Sequence, residues 1–335
     1  MNQVPENLIN PTSVPVPPNL LRSLSTGFET ISNHLSLVLF PIVLDLFLWW
    51  GPRLKIDNWL NRVLTEIQLT PELQAADMQE MLSTSRELWL ELFSRINLLT
   101  ILRTFPVGIS SLMAGVSPVE APTASGPVWQ TSGFLAALGW ILGLALVGLG
   151  IGTFFYSCVS QAVVHKQVAW MQAIRDWPRK FVQVVLLALF WLAVIAGVSV
   201  PFICFLSLLA AGGIGNGQVM ILLYASVLVW LLTPLAFSAH GIFINGRTMW
   251  LSLVDGYLLT RMTMSSTVLF LLIVVFLSQG LNMIWTIPDE TSWMGLVGVA
   301  GHGFVSTALL AASFVYYRDA SRWVQQAFRK AQPVS

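Results

Sequence analysis

From Phe181 to Gly246 the chain runs 66 residues without an Asp, Glu, Lys or Arg. A helix needs roughly 20 apolar residues to cross the hydrocarbon layer of a bilayer, so this run has room for two crossings. Three more uncharged runs, Ala121–His165, Met262–Pro288 and Thr291–Tyr317, have room for one each. Composition agrees: 55% of residues are hydrophobic and 10% charged, where soluble proteins carry roughly 25% charged. A soluble fold of this length has too little interior to hide that much apolar surface, so the excess must face lipid. The expected fold class is an all-α, polytopic integral membrane protein with about six transmembrane helices and a helical extracytoplasmic loop.

Residues 1–30 read as a Pro-rich tail leading into an interfacial helix that starts near Asn19. The first span is 31–50, with Pro41 and Asp45 inside it, Trp49 and Trp50 as interface anchors, and Gly51-Pro52 as its stop. It does not look like a cleavable signal, since Arg22 is the one basic residue before it. Residues 51–130 form the one long hydrophilic stretch. It predicts a helix over about Ile56–Leu69 and another from Thr70, with Pro71 at its first position, to about Arg103. The later half of that second helix is apolar on one side, with Glu87, Glu91, Arg95 and Arg103 on the other, a pattern for a surface helix. The apolar continuation, 96–116, is a candidate to dip into the bilayer. A five-helix bundle over 131–318 follows, with spans at 134–157, 181–211, 219–244, 267–285 and 295–317, then a tail over 319–335.

Basic residues mark the cytoplasmic side of short loops. Lys166, Arg175, Arg179 and Lys180 follow the second span, Arg247 and Arg261 the fourth, and Arg318, Arg322, Arg329 and Lys330 the sixth. The short loops 212–218 and 286–294 have no Lys or Arg, and the second carries Asp289 and Glu290. This predicts a multi-pass cell-membrane protein with both termini in the cytoplasm. Arg53 and Lys55 run against that orientation, but long loops translocate largely regardless of charge.

Asp45 is the one acid within a span, and ionisable groups in lipid are functional suspects. His240, His302 and Asn282 are the other intramembrane polar candidates, with His34 nearby. Scattered histidines do not make the compact ligand set a metal requires, so neither metal nor cofactor is expected. Gly139 and Gly143, and Gly148 and Gly152, are spaced for close helix packing. Trp170, Trp177 and Trp250 lie in two amphipathic loop segments, about 161–177 and 247–261, suited to the inner interface or to docking a partner. Cys158 and Cys204 read as small core residues. The net charge of +1 and the lack of a basic aromatic patch give no case for nucleic acid. No nucleotide-binding glycine loop, nucleophile elbow or paired-cysteine motif points to an enzyme.

The stretches Ala239-His240-Gly241-Ile242-Phe243, Gly246-Arg247-Thr248-Met249-Trp250-Leu251-Ser252-Leu253 and Ala311-Ala312-Ser313-Phe314-Val315-Tyr316-Tyr317-Arg318-Asp319 resemble a loose bacterial group of polytopic proteins. Those proteins are related to the membrane domain of glycerophosphodiester phosphodiesterases. The resemblance covers about half the chain and implies fold and membrane context; the hydrolytic domain has no counterpart here. The leading expectation is a non-enzymatic, accessory or lipid-associated membrane component, with the bilayer and other membrane subunits as partners. One alternative is the permease subunit of an ATP-driven exporter, with a cytoplasmic ATPase as partner. The other is a stand-alone transporter or channel.

Overall fold

The computed structural model describes residues 18–68, 86–87, 90–91, 93, 95–118, 120–123, 126–211 and 217–331. The Pro-rich tail before residue 18 and most of the expected helix from Thr70 lie outside them. The chain is an all-α, multi-pass membrane protein. Five helices are long and apolar enough to cross a bilayer, and six if a bent pair at the start counts as one span.

That bent pair is α1 (Leu20–Ser32) and α2 (Leu39–Trp50), joined by a 3-10 turn at Leu35–Val38 and turned 91° to one another. Asn19 caps α1 by accepting from Arg22 N at 3.2 Å. The expected single span 31–50 is therefore the second half of a broken element. Its break sits where His34 Nδ1 bonds back to Thr30 O at 2.9 Å. Past α2, strand β1 (Arg53–Lys55) leads to α3 (Asp57–Gln68). A 3-10 helix at Leu98–Arg103 and the single turn α4 (Met113–Val116) follow. Strand β2 (Val128–Gln130) pairs in parallel with β1, Arg53 opposite Val128. The expected helix to Arg103 does not run through, because residues 95–97 are non-helical.

The remaining helices are α5 (Phe134–His165), α6 (Trp170–Ala211), α7 (Gly217–Leu232), α8 (His240–Ile244), α9 (Met249–Met262), α10 (Met264–Trp285) and α11 (Gly295–Ala331). The expected fourth span, 219–244, is present as Gln218–Ile244 and is interrupted at Pro234. Proline has no N–H for the helix ladder, and a 3-10 turn at Thr233–Leu235 replaces it. The 161–177 segment is no separate helix: α5 runs to His165, Lys166 ends it in a left-handed conformation (φ 55°), and α6 begins four residues later. The tail after 318 continues α11 to Ala331.

Helix α11 is the axis of the bundle: 56% of its most apolar stretch is buried, against none for the stretch within Gln218–Ile244. Small residues make this possible. Ala308, Ala311 and Ala312 are fully buried, and the rings of Phe314, Tyr316 and Tyr317 fill the space beside them. Gly27 faces Ala312, Gly303 faces Pro41 and Gly295 faces Trp49, so α1 and α2 advance along α11 in the opposite sense. Trp49 Nε1 also donates to Glu290 O at 3.1 Å, fixing the 286–294 loop over α2. The bundle has an acidic end at Asp289 and Glu290, and a basic end at Lys166 and Arg318, where Arg318 Nη1 donates to Val163 O at 3.1 Å.

A Cβ at Gly27 would stand 2.6 Å from Ala312 N. Gly27→Leu is expected to lower unfolding stability by about 1–3 kcal/mol through overpacking. Thermal unfolding in mild detergent measures it; an unchanged midpoint would mean that α1 is not docked on α11.

Candidate functional site

The segment from Leu98 to Val116 leaves the hydrophilic stretch and enters the bundle. Leu98, Leu99, Val107, Ile109, Leu112 and Met113 are all buried. It enters through Asn97, whose Oδ1 accepts from Leu54 N at 3.0 Å and from Leu99 N at 3.1 Å, tying the descent to β1. Gly148 and Gly152 of α5 make room for it. A Cβ at Gly148 would lie 2.5 Å from Leu102 O, and one at Gly152 would lie 2.8 Å from Gly108 Cα. At 1.5 Å per residue, Gly148 is about 21 Å from Phe134 and about 26 Å from His165, so this backbone reaches the middle of α5. The segment is re-entrant. Non-helical backbone at such depth is tolerated where protein or a wet cavity satisfies it.

The return limb is held by Asp45, which is fully buried on α2. Its carboxylate accepts from Ser111 Oγ at 2.5 Å, Met113 N at 3.0 Å and Leu112 N at 3.2 Å. Ser111 Oγ in turn accepts from Ala114 N at 2.9 Å. These donors are the orphan N–H groups at the start of α4 and the hydroxyl beside them. A carboxylate suits them because charge-assisted hydrogen bonds are short and strong. Asp45 is thus a clamp, with both oxygens engaged.

Arg103 stands near the deepest part of the segment, next to Leu102, and is exposed. Among the described residues it forms no hydrogen bond or ion pair. It lies within electrostatic reach of both Asp45 and His302. A guanidinium at mid-bundle depth is not stable against lipid chains; such groups face cavities or pathways.

Polar side chains continue from that level toward the basic end. His302 Nδ1 pairs with Asn282 Oδ1 at 2.8 Å, joining α11 to α10. About one turn along each helix, Ser306 and Ser278 line a cavity of about 230 Å³ with Ser110, Tyr156, Thr307 and Ser313. Ser313 Oγ donates to Leu310 O at 2.7 Å and contacts His240 Nε2 at 2.9 Å, so His240 carries its proton on Nε2. His302 Nε2 and His240 Nδ1 are buried without a partner, on side chains 6% and 7% exposed. The Ser110 and Ser278 hydroxyls also make no hydrogen bond among the described residues. On α11 the residues 302, 306 and 313 follow helical spacing and form one face.

The structure thus pairs His302 with Asn282 and His240 with Ser313 of the cavity lining, while Asp45 clamps the return limb. The glycines divide: Gly148 and Gly152 seat the re-entrant backbone, and a Cβ at Gly139 or Gly143 would meet nothing within 4 Å among the described residues. Trp170 stacks on Phe40 at 6.5 Å and Trp177 Nε1 donates to Gly150 O at 2.8 Å, so both are engaged within the chain; Trp250 is 64% exposed. Cys158 is buried and Cys204 exposed, which corrects the expectation of two core thiols. Among the described residues no cluster of acids, histidines and cysteines is arranged to hold a metal. Arg103 has no motif of its own, and in the sequence it falls on the polar side of an apparent surface helix. Comparison with protein families, characterised proteins and solved structures finds no match to this chain.

Asp45→Asn replaces one acceptor oxygen with an amide that faces donors. A stability loss of about 1–3 kcal/mol is expected, together with new labelling of a cysteine placed at the fully buried Val107. Gly148→Leu should destabilise comparably by displacing the Leu102 carbonyl, and Gly139→Leu should stay within about 0.5 kcal/mol. Equal effects of the two glycine variants in detergent unfolding would contradict the seating of the segment on α5.

Proposed function

We propose that the chain carries or conducts a polar solute across the membrane on its own. The path follows the re-entrant segment and the polar face of α11. The observation that carries this reading is Arg103, an exposed guanidinium that a re-entrant segment brings to the middle of the bundle, within electrostatic reach of Asp45 and without a hydrogen bond among the described residues. Charge in that position is costly unless water or solute reaches it, and discontinuous elements near the midplane are a recurrent way to build transport sites. The continuation through Asn282–His302, Ser278–Ser306 and Ser313–His240 supplies a row of uncharged hydrogen-bonding groups. In this reading no cofactor takes part and no bond of the solute is broken. The basic end lies in the cytoplasm, with both termini there, and the acidic end faces outward at the cell membrane.

A second reading, an accessory or lipid-associated subunit of a larger membrane complex such as an exporter with a separate ATPase, rests on one specific observation. The apolar stretch within Gln218–Ile244 has none of its residues buried. It touches the rest mainly through its pairing with α6, where Ser199 Oγ and Tyr224 OH lie 2.6 Å apart. Photo-crosslinking from Cys204, exposed on α6, would yield a discrete protein adduct under this reading and lipid adducts under the first.

The direct test is solute flux in liposomes containing the purified protein alone. Flux above protein-free vesicles is expected, with a loss of about tenfold or more in Arg103→Gln, as for the removal of one charge-assisted contact. No flux of any ion or small polyol from properly folded protein would dismiss the transport reading.

A further inference from the structure

We infer that a cavity at the basic end binds an aminoethyl phosphate group, as an aminophospholipid headgroup or free phosphoethanolamine carries, with the phosphate on Lys180 and Gln161 and the ammonium on Asp176. This site stands apart from the transport path and does not depend on it. The cavity, about 190 Å³, lies where α5 ends, α6 begins and the chain turns after α8. Gly246, at φ 60°, makes that turn without a side chain to close the opening. Gln172, Asp176 and Lys180 stand one helical turn apart on α6 and line one wall; Gln161 and His165 of α5 line another.

The polar groups of these walls have unused bonding capacity. Gln161 is 6% exposed, and its Oε1 accepts from Ala169 N at 3.0 Å. That backbone donor settles which end of the amide is oxygen. Its Nε2 therefore presents two N–H donors, and they have no acceptor among the described residues. Lys180 is half-buried, with Nζ 5.9 Å from the centre of the Phe243 ring. The ring attracts the charge, but Lys180 makes no hydrogen bond among the described residues. Asp176 is within electrostatic reach of Lys180, yet the two do not close into a contact ion pair, and the carboxylate accepts no hydrogen bond among the described residues.

The two charges decide the class of ligand. A group carrying only negative charge would meet Asp176, and one carrying only positive charge would meet Lys180. A zwitterion sets each of its charges against the opposite one. Side chains four apart on a helix stand about 5–6 Å from each other at Cβ. An aminoethyl phosphate bridges such a span; an α-amino acid, with both charges on one carbon, does not. Lys180 then takes one phosphate oxygen and Gln161 Nε2 another. Among the described residues Phe243 is the one Phe, Tyr or Trp in the lining, and it faces Lys180. No aromatic cage is left for a trimethylammonium, whereas a primary ammonium donates charge-assisted hydrogen bonds to Asp176.

The test heats the full chain, purified in an uncharged detergent at neutral pH, with one of four probes. These are short-chain phosphatidylethanolamine, phosphatidylcholine and phosphatidylglycerol of equal chain length, and phosphoethanolamine. Phosphatidylethanolamine is expected to raise the unfolding midpoint saturably, and the other two lipids clearly less. Asp176→Asn should raise the half-saturating concentration of phosphatidylethanolamine about tenfold or more, the loss of one charge-assisted contact. It should leave phosphatidylglycerol binding no weaker, because the repelling carboxylate is gone. A shift with phosphoethanolamine that matches the lipid's supports the site with a free solute as its source; a shift with the lipid alone supports it with the membrane as its source. Equal shifts for the three lipids, the largest shift with phosphatidylglycerol, or no shift with any probe would overturn the inference. An identical phosphatidylethanolamine response in Asp176→Asn and wild type would overturn its placement in this cavity. Should Asp176→Asn fail to fold, Lys180→Gln takes its place, with the same loss expected for phosphatidylethanolamine and the same reading of an unchanged response.

Discussion

Asp45 accepts three hydrogen bonds at a point where the protein has removed water from the carboxylate altogether. Each partner depends on it in turn. Without the acceptor, Leu112 N and Met113 N would be orphan donors in an apolar interior, and the turn at Met113–Val116 would have no reason to sit inside the bundle. With it, the descending limb can lie along α5, its Leu102 and Gly108 backbone received by Gly148 and Gly152. The depth of Arg103 is a consequence of these two anchors. An acid that reads as a functional suspect is in this way the support for a base that does not.

How far the sequence discloses this arrangement depends on the range of the interactions involved. The spans are legible because hydropathy is a local property: a helix that must lie in lipid announces itself over 20 or so residues, as Phe134–His165 and Met264–Trp285 do. The re-entrant segment is not local. Residues 88–103 have one apolar and one charged side, which a surface helix would also show. Only the meeting of Asp45 with Ser111, across 66 positions, and of Gly148 with Leu102 distinguishes the two. The glycine pairs make the same point. Gly139 with Gly143 and Gly148 with Gly152 share one spacing, yet among the described residues only the second pair has a close neighbour, and that neighbour is the backbone of Leu102 and Gly108 rather than another spanning helix. The fourth span is legible as Gln218–Ile244, and its interruption at Pro234 has a local cause; the break of the first span at His34 depends on how α1 packs along α11.

The polar face of α11 lies between these cases. His302, Ser306 and Ser313 are at helical spacing, so their sharing of a side is implicit in the numbers. Their meaning comes from α10, which places Asn282 and Ser278 opposite, and from the re-entrant segment, which adds Ser110. Separately, each is the hydroxyl or imidazole that membrane helices commonly use to bind one another. Lined up along one side of α11, they form a continuous polar face inside an apolar bundle.

The parallel pairing of Arg53–Lys55 with Val128–Gln130 has a topological effect. It makes the long excursion between the first span and α5 begin and end at one place, and the bond from Leu54 N to Asn97 Oδ1 returns the chain to that place before it descends into the bundle. Closing a longer loop costs only a logarithmic increment of entropy. Residues grafted between Gln68 and Asn97 would therefore hang from a fixed hinge, and that part of the excursion works as a cassette. Its contents can be exchanged for an epitope or reporter while the descending segment and the helices it packs on stay the same.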